Sequence, residues 1–74
     1  MSHDIQTEAD DLAADLLRGG PAIAAFLQTI GWPEATVDKV YYLARSKKLP
    51  IGKFGNELIT TKSRLTRHVR KLVA

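Results

Sequence analysis

Residues 37–60 read VDKVYYLARSKKLPIGKFGNELIT, and this stretch decides the fold. Its first half has apolar side chains at the three- and four-residue spacing of one helix face, which predicts a helix. The residues expected on that buried face are Val37, Val40, Tyr41 and Ala44. The helix starts either at about Glu34, which we favour, or at Val37 with Thr36 as its N-cap.

The second half of the stretch predicts a β-hairpin. Two short strand-like segments flank Gly55-Asn56, a pair that suits a two-residue turn of type I′ or II′. The expected register sets Phe54 opposite Glu57 and Lys53 opposite Leu58. Because an isolated hairpin is barely stable in water, this one must pack on the helices.

Helical patterns lie on both sides of this stretch, with N-cap and glycine signals at their ends. The predicted helices run from about Glu8 to Arg18, from Pro21 to Ile30 and, with Ser63 as N-cap, from Arg64 to about Val73. The apolar residues expected to pack are Leu12, Ala13, Leu16 and Leu17 in the first, Ile23, Phe26, Leu27 and Ile30 in the second, and Leu65, Val69, Leu72 and Val73 in the last.

The sequence therefore predicts a mostly α fold with a small β-hairpin. Its order of helix, helix, helix, hairpin and helix is that of a winged helix-turn-helix. With 74 residues there is room for one domain, expected over residues 7–74 after a disordered tail at residues 1–6.

Composition excludes several classes of protein. The chain has no cysteine, so disulfides and thiolate metal sites are ruled out. Its apolar runs are too short for a membrane span or a secretion signal, so we expect a cytoplasmic protein.

The two halves of the chain differ strongly in charge. Residues 1–34 hold six acids and one base, whereas residues 35–74 hold ten bases and two acids. A polyanion would therefore prefer the second half.

The segment from Val40 to Pro50 resembles the recognition-helix segment of the MerR-like and phage excisionase (AlpA-type) winged-helix families. Those families read valine-tyrosine, then arginine, then lysine-leucine-proline at this spacing. The similarity continues through Lys53-Phe54-Gly55-Asn56 to Leu65, and residues 23–27 look like the first helix-turn-helix element. Roughly residues 20–66 are covered. The resemblance implies a DNA-binding protein in which the third helix enters the major groove and the hairpin is the wing.

Three positions depart from the family pattern. The connection from Gln28 to Ala35 is longer than the usual tight turn. Glu57 stands where the family often carries arginine, which should weaken the hold of the wing on phosphate. Tyr42 replaces a frequent basic residue, so no base preference carries over. Since the chain stops at Ala74, the resemblance implies the short excisionase-like class or a small phage or plasmid regulator.

Candidate DNA-binding residues follow from the predicted faces. Lys39, Tyr42 and Ser46 point away from the buried face towards base edges, unless Tyr42 is a packing residue. Lys53 and Asn56 sit at the wing tip, where Asn56 could equally serve only the turn. The full set expected to contact DNA is Thr36, Lys39, Tyr42, Arg45, Ser46, Lys47, Lys53, Asn56, Lys62, Arg64, Arg67, Arg70 and Lys71. The alternative for the basic residues of the last helix is a solvated face.

Other chemistry is not expected. Glu8, Asp11 and Asp15 read as a solvated acidic face, with a smaller chance of contact with a basic partner. His3 and His68 have no second ligand at metal spacing. The sequence has no nucleophile-base pair and no phosphate loop, so we expect neither an enzyme nor a cofactor.

The sequence thus predicts a sequence-preferring protein that binds double-stranded DNA and is nucleoid-associated, and it is compatible with a homo-oligomer on DNA. It would act as an excisionase-like directionality factor or a small transcriptional regulator, with a recombinase or RNA polymerase as partner. A phage terminase small-subunit role, with terminase as partner, is an alternative of the same class. An adaptor that docks a protein through its acidic first helix is the alternative of another class.

Overall fold

A computed structural model gives the structure of this protein, and it describes residues 11–73. The tail predicted for residues 1–6 and the capping pattern at residues 7–10 lie outside the described residues. Within them the fold is mixed α/β, with four helices and one small antiparallel sheet. The elements are α1 over residues 11–15, β1 (Leu16–Arg18), α2 (Gly20–Thr29), α3 (Val37–Arg45), β2 (Gly52–Phe54), β3 (Glu57–Thr61) and α4 (Lys62–Val73).

The prediction that the first helix continues to Arg18 is wrong, because Leu16–Arg18 form β1. This strand pairs antiparallel with β3, so that Leu17 lies opposite Thr60. The side chain of Leu17 is buried, and the next amide, that of Gly19, donates to the Leu58 carbonyl at 2.8 Å. Pairing with a distant strand supplies both backbone hydrogen bonds and burial, and it overrides local helix propensity.

The hairpin is confirmed in position and register. Phe54 pairs with Glu57 and Lys53 with Leu58. Gly55 has a φ of 65°, and Asn56 is not among the positive-φ residues, a pattern that favours the type II′ turn over type I′. Because β3 lies between β1 and β2, the hairpin belongs to a three-stranded sheet and does not stand alone.

Helix α3 starts at the later of the two predicted positions. The hydroxyl oxygen of Thr36 accepts from the Lys39 amide at 3.3 Å, so Thr36 is the N-cap and a start near Glu34 is wrong. The connection before it, residues 30–36, is held in place from α2. The side-chain amide of Gln28 donates to the carbonyl of Ala35 at 3.0 Å, and Ala35 is fully buried.

The core lies between α2, α3 and the sheet, and its largest fully buried side chains are Ile23, Leu27, Val40 and Leu65. The predicted buried face of α3 is correct at Val40 but not throughout, because Tyr41 is 42% exposed. The Tyr41 ring lies across the start of α2. A Cβ placed on Gly20 would come within 2.7 Å of its Cε2 atom. Glycine therefore allows the two helices to pack closely at this point.

Helix α4 begins at Lys62, and the prediction that Ser63 is its N-cap is wrong. Thr61 caps the helix, since its Oγ1 accepts from the Arg64 amide at 3.2 Å. Ser63 instead donates to Asp15 of α1, from its amide at 2.9 Å and from its hydroxyl at 2.6 Å. Asp15 thus supplies a second, long-range cap, and it is not a free member of an acidic face.

The C-terminal end of α4 is less buried than its predicted apolar stripe implies. Leu65 is fully buried, but Leu72 and Val73 are 68% and 80% exposed. The helix is therefore anchored through its first turns.

The contact between Asp15 and Ser63 predicts a specific response to acid. Hydrogen bonds from Ser63, with a contribution from the charge of Lys62, hold the pKa of the Asp15 carboxyl below its ordinary value. A carboxyl whose pKa is lower in the folded than in the unfolded state stabilises the fold above its unfolded pKa, near 4. That contribution is lost as the pH falls through the folded pKa.

We therefore expect Asp15→Asn to be less stable than the unmodified chain at pH 7. The difference should shrink as the pH falls below about 4. Urea unfolding followed by circular dichroism at a series of pH values measures it. Asp11→Asn, which removes an exposed charge from the same helix, is the control. A difference for Asp15→Asn that stayed constant down to the acid limit would contradict this prediction.

Candidate nucleic-acid interface

The outer side of α3 carries the side chains that the sequence assigned to it. Lys39, Tyr42 and Ser46 are all exposed. Tyr42 is 53% exposed, which argues against its being a packing residue. Thr36, at the start of the same helix, is exposed as well, although its hydroxyl oxygen serves as the N-cap acceptor.

Two of these side chains have partners within the protein. The Lys39 ammonium lies 5.9 Å from the centroid of the Trp32 ring, within the range of a cation–π contact. The Ser46 hydroxyl donates to the Tyr42 carbonyl at 2.9 Å. Ser46 therefore offers an incoming base its oxygen as an acceptor, while Lys39 and Tyr42 remain able to donate.

The end of α3 is unusual because a lysine takes a conformation that favours glycine. The amides of Lys47 and Lys48 donate to the carbonyls of Ala44 and Leu43, at 3.2 and 2.9 Å, which forms a Schellman motif. Lys47 occupies its left-handed position with a φ of 59°. Helix α2 ends in the same motif, but there Gly31 fills that position with a φ of 106°.

A cleft of about 360 Å³ separates α3 from the hairpin. Arg45 lines it from α3, and Lys53 and Asn56 line it from the hairpin. Its remaining walls are Tyr41, Ala44, Ile51, Gly52 and Leu58. Three residues that the sequence predicted as DNA contacts thus surround one largely apolar cleft, together with Tyr41, which the sequence analysis had assigned to the core.

Glu57 has a partner that the sequence did not reveal. Its carboxylate accepts from the Arg18 side chain at 2.9 Å, across the β1–β3 pair and 39 positions along the chain. Both side chains are largely exposed, so the pair contributes little stability. Its effect is to offset the negative charge that we expected to weaken the wing.

Phe54 is a second feature of the hairpin that the sequence pattern did not explain. It is 78% exposed beside the turn. The alternation of side chains along the two strands of the hairpin indicates that Phe54 is exposed. Leu58, opposite Lys53, is buried, so the neighbouring pair of Phe54 and Glu57 must lie on the other face of the hairpin.

The cations of α4 divide between two sides of that helix. Arg64, Arg67 and Lys71 line a pocket with His68 and Pro50. Lys62 and Arg70 line a groove against Phe26 of α2 and against Ile30, the residue after that helix, and Arg67 borders this groove as well. The structure does not bring all of the predicted α4 contacts to one surface.

The first of these two groups adjoins the cleft of α3. Gly52 lines both that cleft and a shallow groove under β3, and the same groove is lined by Pro50 and Arg64. Arg64 and Pro50 in turn line the α4 pocket. The cleft, the groove and the α4 pocket therefore share lining residues at positions 50, 52 and 64.

Residues 11–73 contain no cluster of three or more His, Asp or Glu side chains that could hold a metal ion. Over the same residues, no helix has the length and apolar character needed to cross a membrane. No protein-family model matches the chain, and comparison with curated proteins and with solved structures gives no match.

The geometry of Lys47 predicts that replacing it with glycine stabilises the protein. A left-handed conformation is unfavourable for a residue with a Cβ, but glycine loses more entropy on folding. We expect Lys47→Gly to raise the free energy of unfolding by about 0.5–1 kcal/mol, measured by urea denaturation.

Lys48→Gly is the matched control. It removes the same charge one position later, where φ is not positive, and should lower stability. If the Lys47→Gly variant is less stable than the unmodified chain, the backbone at this position is not under strain.

Proposed function

We propose that this protein is a winged helix-turn-helix that binds double-stranded DNA with sequence preference. In this proposal α2 and α3 form the helix-turn-helix, and β2 and β3 form the wing. The order helix, strand, helix, helix, strand, strand, helix within residues 11–73 supports it. So does the sheet order β1–β3–β2, which ties the hairpin to the body of the domain beside α3.

The observation that carries the proposal is the cleft between α3 and the hairpin. A helix in the major groove and a wing at the adjacent minor groove lie on either side of one sugar-phosphate strand. That strand would occupy the cleft, with its phosphates near Arg45 and Lys53 and its sugars against the apolar walls. Asn56 would lie at the minor-groove side. Both sides of the cleft thus carry groups suited to the same strand.

Lys39, Tyr42 and Ser46 are then the residues that read base edges. Their exposure on the outer side of α3 supports this role. The connection at residues 30–36 is longer than the usual turn. It is nevertheless held by the Gln28 contact and by the packing of Trp32 against the core, so α3 has a defined orientation.

The left-handed Lys47 adds to the case. Position 47 has a backbone conformation that glycine would adopt more easily, yet it carries a cationic side chain at the end of α3. Strain of this kind is common at functional sites, and here it would hold an ammonium group towards a phosphate. A cation at a helix C-terminus also interacts favourably with the helix dipole, but the neighbouring Arg45 and Lys48 already supply that charge.

Within the DNA-binding class we propose an excisionase-like directionality factor or a small transcriptional regulator. Such a protein would mark or bend DNA, with several copies side by side, and recruit a recombinase or RNA polymerase. A terminase small-subunit-like role uses the same surface with a different recruited partner. The adaptor hypothesis loses support from Asp15, which is engaged with Ser63 and not available to a partner.

Salt dependence separates DNA binding from the adaptor function. A protein that neutralises about five phosphates should lose affinity for DNA with a log-log slope against salt of about −4 to −5. Fluorescence anisotropy with a labelled duplex, over a series of salt concentrations, measures it. A shallow slope at weak affinity would count against DNA binding and in favour of the adaptor.

Substitutions separate base reading from phosphate contact. We expect Lys39→Ala and Tyr42→Ala to reduce discrimination between a duplex selected from a random pool and unselected DNA by about 1–3 kcal/mol. Arg67→Ala and Arg70→Ala should instead weaken both complexes about equally, because phosphate contacts carry no sequence information.

Circular dichroism of each variant confirms folding, which matters for Lys39→Ala because that side chain lies over Trp32. Unchanged discrimination in both α3 variants would rule out α3 as the recognition helix.

A further inference from the structure

We infer that the pocket between α4 and Pro50 binds a single phosphate group. The pocket has a volume of about 200 Å³, and its walls are Pro50, Arg64, Arg67, His68 and Lys71. The inference deepens the proposed function, because a backbone phosphate of bound DNA is the expected occupant. The pocket is separate from the cleft between α3 and the hairpin.

The spacing of the pocket residues places like charges together. Positions 64, 67, 68 and 71 lie on one face of a helix, so the side chains of Arg64, Arg67 and Lys71 are neighbours. Like charges at this spacing repel each other. Helix α4 contains no acidic residue, and the ion pair found among residues 11–73 is that of Arg18 with Glu57, on the sheet. A bound anion would relieve the repulsion.

His68 supplies the second observation. Its Nε2 atom is buried and has no hydrogen-bond partner among the described residues. Buried polar atoms in folded proteins nearly always have a partner, so an isolated one calls for an explanation. An Nε2–H can donate to a phosphate oxygen. The three cations that line the pocket with His68 are exposed on long side chains, which can move apart to admit an anion.

The position of the pocket favours the DNA backbone as the source of that phosphate. The loop at residues 50–52 links it to the cleft, since Gly52 lines the cleft and Pro50 lines the pocket. A strand that leaves the cleft past Gly52 would meet Arg64 next. Free phosphate offers the same oxygens, so the experiment must distinguish the two sources.

The test follows the His68 ring by NMR. Long-range proton-nitrogen spectra of the ¹⁵N-labelled full chain are recorded during titration with inorganic phosphate at constant ionic strength, and separately with a short DNA duplex. His68→Gln identifies the His68 signals among those of the two histidines in the chain. Anisotropy with the same duplex reports whether DNA binds at all. We expect the His68 signals to shift saturably with the duplex.

Arg64→Gln and Arg70→Gln form a matched pair, since each removes one arginine charge from α4. Only Arg64 lines the pocket. At saturating duplex we expect Arg64→Gln to reduce the His68 shift about threefold to tenfold, and Arg70→Gln to leave that shift unchanged although it lowers the affinity measured by anisotropy. Arg64→Lys should restore part of the response. Circular dichroism confirms that each variant folds.

The outcomes separate the two proposals. A saturable shift of His68 with the duplex alone, or with both probes, supports the pocket and identifies a backbone or a general phosphate site respectively. A shift with inorganic phosphate and no binding of DNA supports the pocket and overturns the proposed function. DNA binding without any shift of His68, or with equal effects of the two arginine variants, overturns the pocket and leaves the proposed function standing.

Discussion

Strand β1 pairs antiparallel with β3, so that Leu16, Leu17 and Arg18 lie opposite Thr61, Thr60 and Ile59. This contact joins the start of the described chain to the strand before α4. This pairing makes β3 the central strand of the sheet, so β1 lies against one edge of the hairpin. Leu58 and Thr60 of β3 are buried. A two-stranded hairpin alone would be marginal in water. The position of the hairpin relative to α3 therefore depends on three residues near the other end of the chain.

The same pairing organises the surroundings of α4. Since β1 follows α1 directly, Asp15 is brought to the first turn of α4, where Ser63 donates to it. Arg18 is brought to Glu57 in the same way. One anchor thus fixes the beginning of a helix that is rich in cations, and one ion pair offsets the negative charge of Glu57 in the hairpin. Beyond Leu65 the helix extends outward with exposed Leu72 and Val73.

The candidate interface is built from side chains on separate elements that meet at the loop of residues 50–52. Arg45, Lys53 and Asn56 share a cleft, and Arg64, Arg67 and Lys71 share the neighbouring pocket. Lys62 and Arg70 lie along the groove towards α2 instead. A duplex that followed residues 50–52 would meet the first two groups in succession, whereas Lys62 and Arg70 lie along the other side of α4.

The sequence by itself determined the features that local physics controls. Helical periodicity located α2 and much of α3, Thr36 marked the less favoured of two predicted starts of α3, and Gly55-Asn56 fixed the register of the hairpin. It also predicted which face of α3 is exposed, because that follows from spacing alone. The pattern of residues 62–73 also predicted a helix there, although it did not identify the N-cap residue.

Only the tertiary structure decided the features that depend on distant partners. Leu16–Arg18 have an apolar pattern compatible with a helix, and pairing with β3 made them a strand. No local signal connects Asp15 with Ser63 or Arg18 with Glu57, which are separated by 48 and 39 positions. The division of the α4 cations between two grooves likewise depends on what packs against each side of the helix. Local periodicity specifies which residues share a face, whereas only long-range packing specifies what that face meets.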